Sequence, residues 1–258
     1  MIRQQENTET IIQKESGNDV VIDIKGLKKS FNDKPVLNGI DLILKKGENL
    51  VVLGKSGSGK SVMIKCIMGL IEPDGGEIKV FDKNMLTLNM HDLNDIRRRV
   101  GFLFQSAALY DSMTVRENLE FPLRYKKLTS KTELDTLVQE ALENVGLSDV
   151  IDKMPAELSG GMRKRLGLAR TLILKPEIIL YDEPTTGLDK ITSSEISNLI
   201  LDIQKKYKTA SIIITHDMDC ARLTANKMRV LKDGVFKAEG TYKELQLSKD
   251  EWVKAFFE

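Results

Sequence analysis

Short apolar runs of strand length recur along the chain, and segments with helical periodicity separate them. The runs are rich in Val, Ile, Leu and Phe and occupy residues 50–53, 100–104, 178–181 and 210–215. Helical patterns occupy residues 62–70, 192–205 and 218–225. Such alternation of strands and helices predicts a mainly parallel sheet, which binds ligands at the carboxyl ends of its strands.

The beginning and the end of the chain carry the pattern of antiparallel strands joined by turns. Turns are predicted at residues 28–34, at Gly75 and Gly76, and at Asp233 and Gly234. Strands are predicted on either side of these turns, at residues 20–24, 36–44, 77–81, 228–231 and 235–239. The chain therefore begins with an antiparallel β-region, and this region contains one strand–loop–helix unit.

Residues 106–173 differ from the rest because their pattern is mostly helical. Within them, residues 130–145 are amphipathic, with Ser130 and Glu133 at the spacing of a capping box. We interpret 106–173 as a helical insertion in the strand–helix alternation. Residues 1–19 are predicted to be a flexible tail and residues 247–258 a C-terminal tail. No internal repeat is visible, so the sequence of one chain is expected to form one nucleotide site and not two.

A glycine-rich loop joins the strand at 50–53 to the helix at 62–70. The loop reads Gly54, Lys55, Ser56, Gly57, Ser58, Gly59, Lys60 and Ser61. A strand, this spacing and a helix are the context of a phosphate-binding P-loop. The glycines bring backbone N–H groups close to phosphates, Lys60 reaches the β- and γ-phosphates, and Ser61 is suited to ligate Mg²⁺. A flexible Gly/Ser turn is the alternative, and both flanks argue against it.

Two further patterns lie where that loop would meet its ligand. Asp182 and Glu183 follow the buried strand at 178–181, and adjacent residues of a strand point to opposite sides. Asp182 is therefore expected to hold Mg²⁺ and Glu183 to act as general base toward water, rather than both being solvated acids.

A second helix start that suits an anion is predicted at Ser159, Gly160 and Gly161, with Ser159 as N-cap. One nucleotide has one γ-phosphate, so we expect two chains to sandwich ATP. An ordinary capped helix is the alternative.

Composition limits the classes of partner. Lys and Arg number 39 against 38 Asp and Glu, a net charge of +1, so no nucleic-acid partner is expected. The basic clusters 97–99 and 163–165 are interpreted as solvated helix faces. Two cysteines are too few for a disulfide scaffold, which favours a reducing cytoplasm. No window of the sequence has the roughly 20 apolar residues that span a bilayer, so another polypeptide would supply any spans.

These motifs, in their order and spacing, resemble those of the ATPase subunit of ABC transporters, over residues 20–243. The resemblance implies an α/β P-loop NTPase fold with a mainly parallel sheet core, an N-terminal antiparallel β subdomain and an inserted α-helical subdomain. The ATPase domain would span 20–246. The resemblance also implies roles for four other residues. Phe31 would stack on adenine, Gln105 would touch Mg²⁺ or the attacking water, Asp189 would act across a dimer, and His216 would contact the γ-phosphate. The alternative for Phe31 is that it is an aromatic residue at the edge of a strand that packs in the core.

A finer resemblance concerns residues 104–115, Met162 and residues 191–193. They are similar to the ATPases that work with mammalian-cell-entry-type proteins to maintain lipid asymmetry of bacterial membranes. Lys190 departs from the proline usual after Asp189.

The function implied is ATP hydrolysis by a Mg²⁺-dependent homodimer that drives separate permease subunits. A mammalian-cell-entry-type substrate-binding subunit is a further expected partner. The complex would lie at the cytoplasmic face of the inner membrane and move phospholipid. The alternatives are an importer of an amino acid or metal, and a soluble ABC ATPase switch. The tail after residue 246 is expected to cover its own core rather than bind a partner.

Overall fold

A computed structural model describes residues 19–125 and 130–257 of the chain. The predicted N-terminal tail lies outside the described residues, apart from Asp19. Within the described ranges, no helix combines the length and the apolar character needed to cross a lipid bilayer.

The strands form two sheets. In chain order they are β1 (Val20–Phe31), β2 (Lys34–Lys45), β3 (Asn49–Leu53), β4 (Gly75–Val80), β5 (Lys83–Asn84), β6 (Val100–Leu103), β7 (Ile178–Asp182), β8 (Ala210–Ile214), β9 (Lys227–Lys232) and β10 (Val235–Gly240). One sheet has the order β2-β1-β4-β5 and is antiparallel. The larger sheet has the order β10-β9-β3-β8-β7-β6, and only β10 runs antiparallel to its neighbour. The predicted sheet architecture is confirmed.

Two of the predicted turns in the first sheet were wrong in extent. Strand β1 continues to Phe31, so only Asn32 and Asp33 form the turn, with φ of 48° and 59°. Short polar residues tolerate this left-handed conformation, which lets two residues close the hairpin. Gly75 and Gly76 belong to β4, because pairing with β1 extends to Gly75 opposite Lys28. The turn at Asp233 and Gly234 is confirmed.

Most of the helices connect strands, and the last two follow the final strand. The helices are α1 (Lys60–Ile67), α2 (Met90–Arg99), α3 (Val115–Glu120), α4 (Lys131–Glu143), α5 (Gly160–Leu172), α6 (Lys190–Tyr207), α7 (Met218–Thr224), α8 (Tyr242–Gln246) and α9 (Glu251–Lys254). Residues 106–173 hold α3, α4 and α5, with 3₁₀ turns between them. The boundaries of the inserted subdomain stay a prediction. The side chain of Ser130 caps α4, as predicted.

The large sheet separates two hydrophobic cores, which explains its continuous apolar strands. Val51 and Tyr181 face one core, where the helices from α3 to α6 pack. Leu50 and Leu180 face the other, which is shared with α1, α2 and the antiparallel sheet. Because both faces are covered at the centre of the sheet, every residue of β3, β7 and β8 is buried, whereas β9 and β10 at the edge keep partly exposed polar residues.

The C-terminal tail covers its own core, as predicted. Val253 in α9 is fully buried, and Trp252, Phe256 and Phe257 pack against the core on the helical side of the sheet. The ring centroids of Trp252 and Phe256 lie 4.9 Å apart.

The two cysteines are buried in different helices. Cys66 lies in α1 and Cys220 in α7. Burial raises the pKa of both thiols to about 11. Neither forms a disulfide.

Candidate nucleotide-binding site

A cavity of about 440 Å³ opens at the carboxyl ends of the central parallel strands. It is lined by Val36, the loop and helix residues 55–62, Gln105, Glu183 and His216. The glycine-rich loop follows β3, Gln105 follows β6, Glu183 follows β7 and His216 follows β8. Because these strands are neighbours and parallel, residues far apart in the sequence meet at one edge of the sheet.

The loop between β3 and α1 has the backbone that a phosphate cradle requires. Gly59 has φ of 102°, and a Cβ there would lie 2.7 Å from the carbonyl oxygen of Val36. No side chain fits that space, so glycine is required. Ser58 Oγ is buried, and no described residue hydrogen-bonds it. This orphaned hydroxyl, together with the open cavity beside it, fits an anionic ligand.

Lys60 is folded onto the loop that precedes it. Its Nζ donates to the carbonyl oxygens of Gly54, at 2.7 Å, and Lys55, at 3.2 Å, and lies 3.9 Å from Glu183 Oε1. Burial lowers the pKa of Lys60, and the negative charges of Glu183 and Asp182 limit the decrease. The ammonium is thus held at the cavity wall by neutral carbonyls. A negatively charged phosphate oxygen could take their place, and its hydrogen bond to the ammonium would be stronger because both groups are charged.

Ser61 and Asp182 provide oxygen atoms that fit Mg²⁺. Ser61 Oγ donates to Asp182 Oδ1 at 2.8 Å, and Asp182 is nearly buried. A hydroxyl, a carboxylate and the nearby Gln105 amide are the kind of oxygen donors that Mg²⁺ takes beside phosphates.

Glu183 lies just beyond the end of β7, and its side chain contacts different partners from that of Asp182. Its Oε2 accepts a hydrogen bond from Thr186 Oγ1 at 3.1 Å and lies 2.8 Å from His216 Nδ1. Its backbone has φ of 50°, an uncommon conformation for a residue with a side chain. Strain of this kind persists where surrounding contacts hold it, and it is concentrated at functional sites. Sequence reasoning named Glu183 and His216 but not their direct contact, nor Thr186.

The helix start at Ser159 lies elsewhere. Ser159 Oγ accepts from Met162 N at 3.2 Å and caps α5. Among the described residues, those that line the cavity of the glycine-rich loop do not include Ser159, Gly160 or Gly161. A Cβ at Gly161 would lie 2.5 Å from Thr192 Cγ2, so this helix start packs tightly against the start of α6.

Asp189 caps α6. Its carboxylate accepts from the backbone N–H groups of Ile191 and Thr192, each at 3.0 Å, and from Thr192 Oγ1 at 2.7 Å. Hydrogen bonds from Thr192 are the main cause that lowers the pKa of Asp189. Lys190 begins the helix without disturbing this cap.

Phe31 lies at the end of β1 with 44% of its surface exposed. The alternative of a core aromatic is therefore wrong. The ring lies outside the cavity lining, with Lys29 Nζ at 5.4 Å from its centroid. An adenine-stacking role stays a prediction.

The basic clusters were only partly interpreted correctly. Arg163 is exposed, but Lys164 is buried, and its Nζ donates to the carbonyl oxygens of Gln105 and Glu183. Arg97 donates to the carbonyl oxygens of Met68 and Gly69 at the end of α1. Charge runs alone do not reveal such contacts, because burial depends on the tertiary fold.

Comparisons with known proteins agree with this geometry. A family model described as ABC transporter matches residues 37–186. The chain is 41% identical over 212 residues to the probable ribonucleotide transport ATP-binding protein mkl of Mycobacterium leprae, covering 82% of this chain and 61% of that protein. The chain thus spans about three fifths of this relative's length.

Other relatives cover more of the chain. Identity is 37% to the chloroplastic protein TRIGALACTOSYLDIACYLGLYCEROL 3 of Arabidopsis thaliana, covering 94% of this chain and 74% of that protein. It is 36% to the methionine import ATP-binding protein MetN of Brucella abortus, covering 92% and 64%. Among solved structures, an ATP-binding cassette dimer in a post-hydrolysis state, bound to ADP and inorganic phosphate, matches with a TM-score of 0.78 and 33% identity. The match covers 85% of this chain and 98% of that one.

Proposed function

Because the chain belongs to the ABC transporter family, as an ATP-binding cassette, we propose that it hydrolyses ATP to drive a separate membrane permease. One observation carries the proposal. Lys60, Gln105, Glu183 and His216 come from four separate segments and line a single cavity beside a phosphate-type loop. Each has the chemistry that phosphoryl transfer to water requires.

The proposed reaction uses these side chains in distinct roles. Backbone N–H groups of the loop and Lys60 hold the phosphates of ATP. Water attacks the γ-phosphorus while the bond to the ADP oxygen breaks, and Glu183 takes the proton of the water. His216 contacts the γ-phosphate with one ring nitrogen while the other faces Glu183. Ser61, Asp182 and Gln105 would hold Mg²⁺, which would supply positive charge beside the phosphates. The products are ADP and inorganic phosphate.

The complete site needs two copies of the chain. Ser159, Gly160 and Gly161 form a capped helix start with an anion-binding character, yet they lie outside the cavity of their own chain. In the proposed homodimer, this helix start closes over the ATP that the partner's loop holds, and Asp189 acts across the seam. The solved relative that is a dimer bound to ADP and phosphate supports this arrangement.

For the cargo, we propose phospholipid moved between bacterial membranes, with the cassette at the cytoplasmic face of the inner membrane. The support is the resemblance of residues 104–115 and 191–193 to lipid-asymmetry ATPases. A second line of support is a plant relative named for trigalactosyldiacylglycerol, a lipid. A mammalian-cell-entry-type subunit would be the substrate-binding partner.

A different small-molecule cargo is the second candidate. Relatives named for ribonucleotide transport and for methionine import favour it. A soluble switch outside transport is the third, and it would bring no membrane partner.

The test is to isolate the tagged protein from membranes in mild detergent and identify the subunits that come with it. A multispanning protein is expected, and the isolated complex in liposomes should hydrolyse ATP and exchange labelled phospholipid in an ATP-dependent manner. If methionine or a ribonucleotide, and not lipid, stimulates ATP hydrolysis, that compound would be the cargo instead of phospholipid. Isolation with ribosomes or DNA and no membrane protein would contradict the transport function.

A further inference from the structure

Lys164 is a buried ammonium group whose hydrogen bonds go to two backbone carbonyls of the candidate site. It lies in the second turn of α5, five residues after Ser159, and only 6% of it is exposed. Its Nζ donates to the carbonyl oxygen of Gln105 and, at 3.2 Å, to that of Glu183. Those carbonyls follow β6 and β7, which are neighbours in the sheet. One side chain therefore joins the backbones of two residues that line the cavity.

Burying this charge is costly, and the surroundings compensate only in part. Burial lowers the pKa of Lys164, while the negative charges of Asp182 and Glu183 oppose the decrease. The same two carboxylates act on Lys60 in the same way. An uncompensated buried charge is strongly unfavourable, so the burial of Lys164 depends on Asp182 and Glu183, two groups that the proposed reaction uses.

Other contacts fix the segment after Gln105 to the same helix. Arg170 donates to the carbonyl oxygens of Ala107 and Ala108, at 3.1 and 2.9 Å. A Cβ at Gly167 would lie 2.8 Å from the Cβ of Ala107, so the helix and the segment are in close contact there. Helix α5 is therefore attached to residues 105–108 by several contacts, and Lys164 also attaches it to Glu183.

We propose that Lys164 is a positioning residue for hydrolysis. It holds the backbones of Gln105 and Glu183 at fixed positions relative to helix α5. The proposal rests on the function proposed above. In the dimer, the start of α5 would meet the partner's nucleotide, and Lys164 would transmit the position of that helix to the hydrolytic groups of its own chain. The uncommon backbone of Glu183 is held in part by this hydrogen bond.

The experiment compares Lys164→Met, which removes the charge and both donors, with Lys164→Arg, which keeps a buried cation. Misplacement of catalytic groups by about 1 Å can cost on the order of 100-fold in rate. We expect Lys164→Met to lower kcat for ATP by about 10- to 100-fold. Binding of a fluorescent ATP analogue should stay within about twofold, because the loop and Lys60 are intact. Lys164→Arg should recover most of kcat.

Arg165→Met is the matched control. Arg165 lies on the same helix and donates to the carbonyl oxygen of Val145 and to Glu195, away from the cavity. Its loss should leave kcat unchanged even if thermal stability decreases. Lys164→Gln, which keeps an N–H donor group without charge, provides a second neutral variant.

Several results would overturn the proposal. One is a normal kcat in Lys164→Met, and another is an equal loss of nucleotide binding and turnover. A third is unfolding of both neutral variants, which would make the role structural. If the unaltered protein itself hydrolyses no ATP, even with its membrane partner, the proposed function fails, whereas a defect or its absence in Lys164→Met bears only on the positioning role.

Discussion

Neighbouring acids at the end of β7 take different partners, and this division follows from the backbone. Asp182 accepts a hydrogen bond from Ser61, whereas Glu183 turns toward Thr186 and His216. Alternation of side chains along a strand predicts separate roles for the two acids, but Glu183 lies beyond β7 with φ of 50°, so its direction is set by this local backbone instead. The sequence does not predict that Lys60 approaches Glu183 and that Lys164 binds its carbonyl oxygen. Lys60 belongs to α1 and Lys164 to α5, and only the tertiary fold brings these helices to this edge.

Replacement Glu183→Gln tests the proposed base. The amide keeps an oxygen for the hydrogen bond from Thr186 but cannot take a proton from water. We expect ATP binding to be retained and kcat to fall by about 10²–10³, and the dimer with ATP bound should accumulate on size-exclusion chromatography. Glu177→Gln, at the other end of the same strand and paired with Arg99, is the control and should hydrolyse ATP normally. Steady-state hydrolysis at the unaltered rate in Glu183→Gln would refute the assignment.

Acid stability depends on Asp217, which caps α7 and accepts from Ser193 Oγ at 2.7 Å. Burial acts to raise the pKa of Asp217, but hydrogen bonds, that from Ser193 foremost, outweigh it and lower the pKa. Since the pKa in the folded state is below the ordinary value of about 3.9, the contribution is complete above about pH 4 and is lost as pH falls through the folded pKa. Ser193→Ala should therefore unfold at a higher pH on acid titration followed by circular dichroism. The exposed neighbour Ser194→Ala should match the unaltered protein, and equal midpoints for both variants would rule out the effect.

At the scale of elements, the apolar strands and the loop before α1 were predictable, because periodicity and glycine spacing are local signals. Helix α2 was not, since its apolar face is short: only Ile96 is fully buried, and Leu93 is partly buried beside it. Helix α3 had a usable signal in the capping box of Thr114 and Glu117, which sequence reasoning overlooked. The packing of α5 against α6 was also beyond local patterns, because the contact of Gly161 with Thr192 joins residues 31 positions apart.

Two adjacent glycines at the start of α5 allow a matched test of that contact. A Cβ at Gly161 would meet Thr192 Cγ2 at 2.5 Å, whereas one at Gly160 would lie 3.6 Å from Leu188. Thr192 cannot easily yield, because Asp189 holds its hydroxyl. Alanine gains about 1 kcal/mol over glycine in a helix, and overpacking costs about 1–3 kcal/mol. Gly161→Ala should thus melt at a lower temperature than Gly160→Ala in differential scanning fluorimetry. The reverse order would show that the helix start tolerates the methyl group.

At the scale of the molecule, one chain supplies a cradle on one surface and a separate capped helix start on another. The cradle lies at the carboxyl edge of the larger sheet, and Ser159 lies beside the start of α6. A two-fold axis would let each chain complete the other's site through the same pair of surfaces. The sequence alone suggested this from the surplus of anion sites, and the separation of the two surfaces in the structure is consistent with it.

Mixed dimers test this arrangement. Lys60→Met and Ser159→Arg homodimers should each be inactive, because every site contains one defect. Mixing them after dissociation should restore about a quarter of the unaltered activity if sites act independently, since hybrids hold one intact site. Mixing Lys60→Met with Glu183→Gln is the control. Each of these substitutions damages the cavity of the chain that carries it, so both cavities of a hybrid are defective and no activity should be restored. No recovery in the first mixture would mean that each site is built within one polypeptide.

The two buried thiols make this protein well suited to labelling. Cys66 and Cys220 are buried, and burial raises their pKa to about 11, so both thiols are protonated at neutral pH. Maleimide dyes should therefore leave the native fold unmodified. A reporter cysteine introduced at Leu247, which is 82% exposed, would then be the one reactive position per copy. Closing and reopening of an assembled pair could be followed by energy transfer without first removing any natural sulfur.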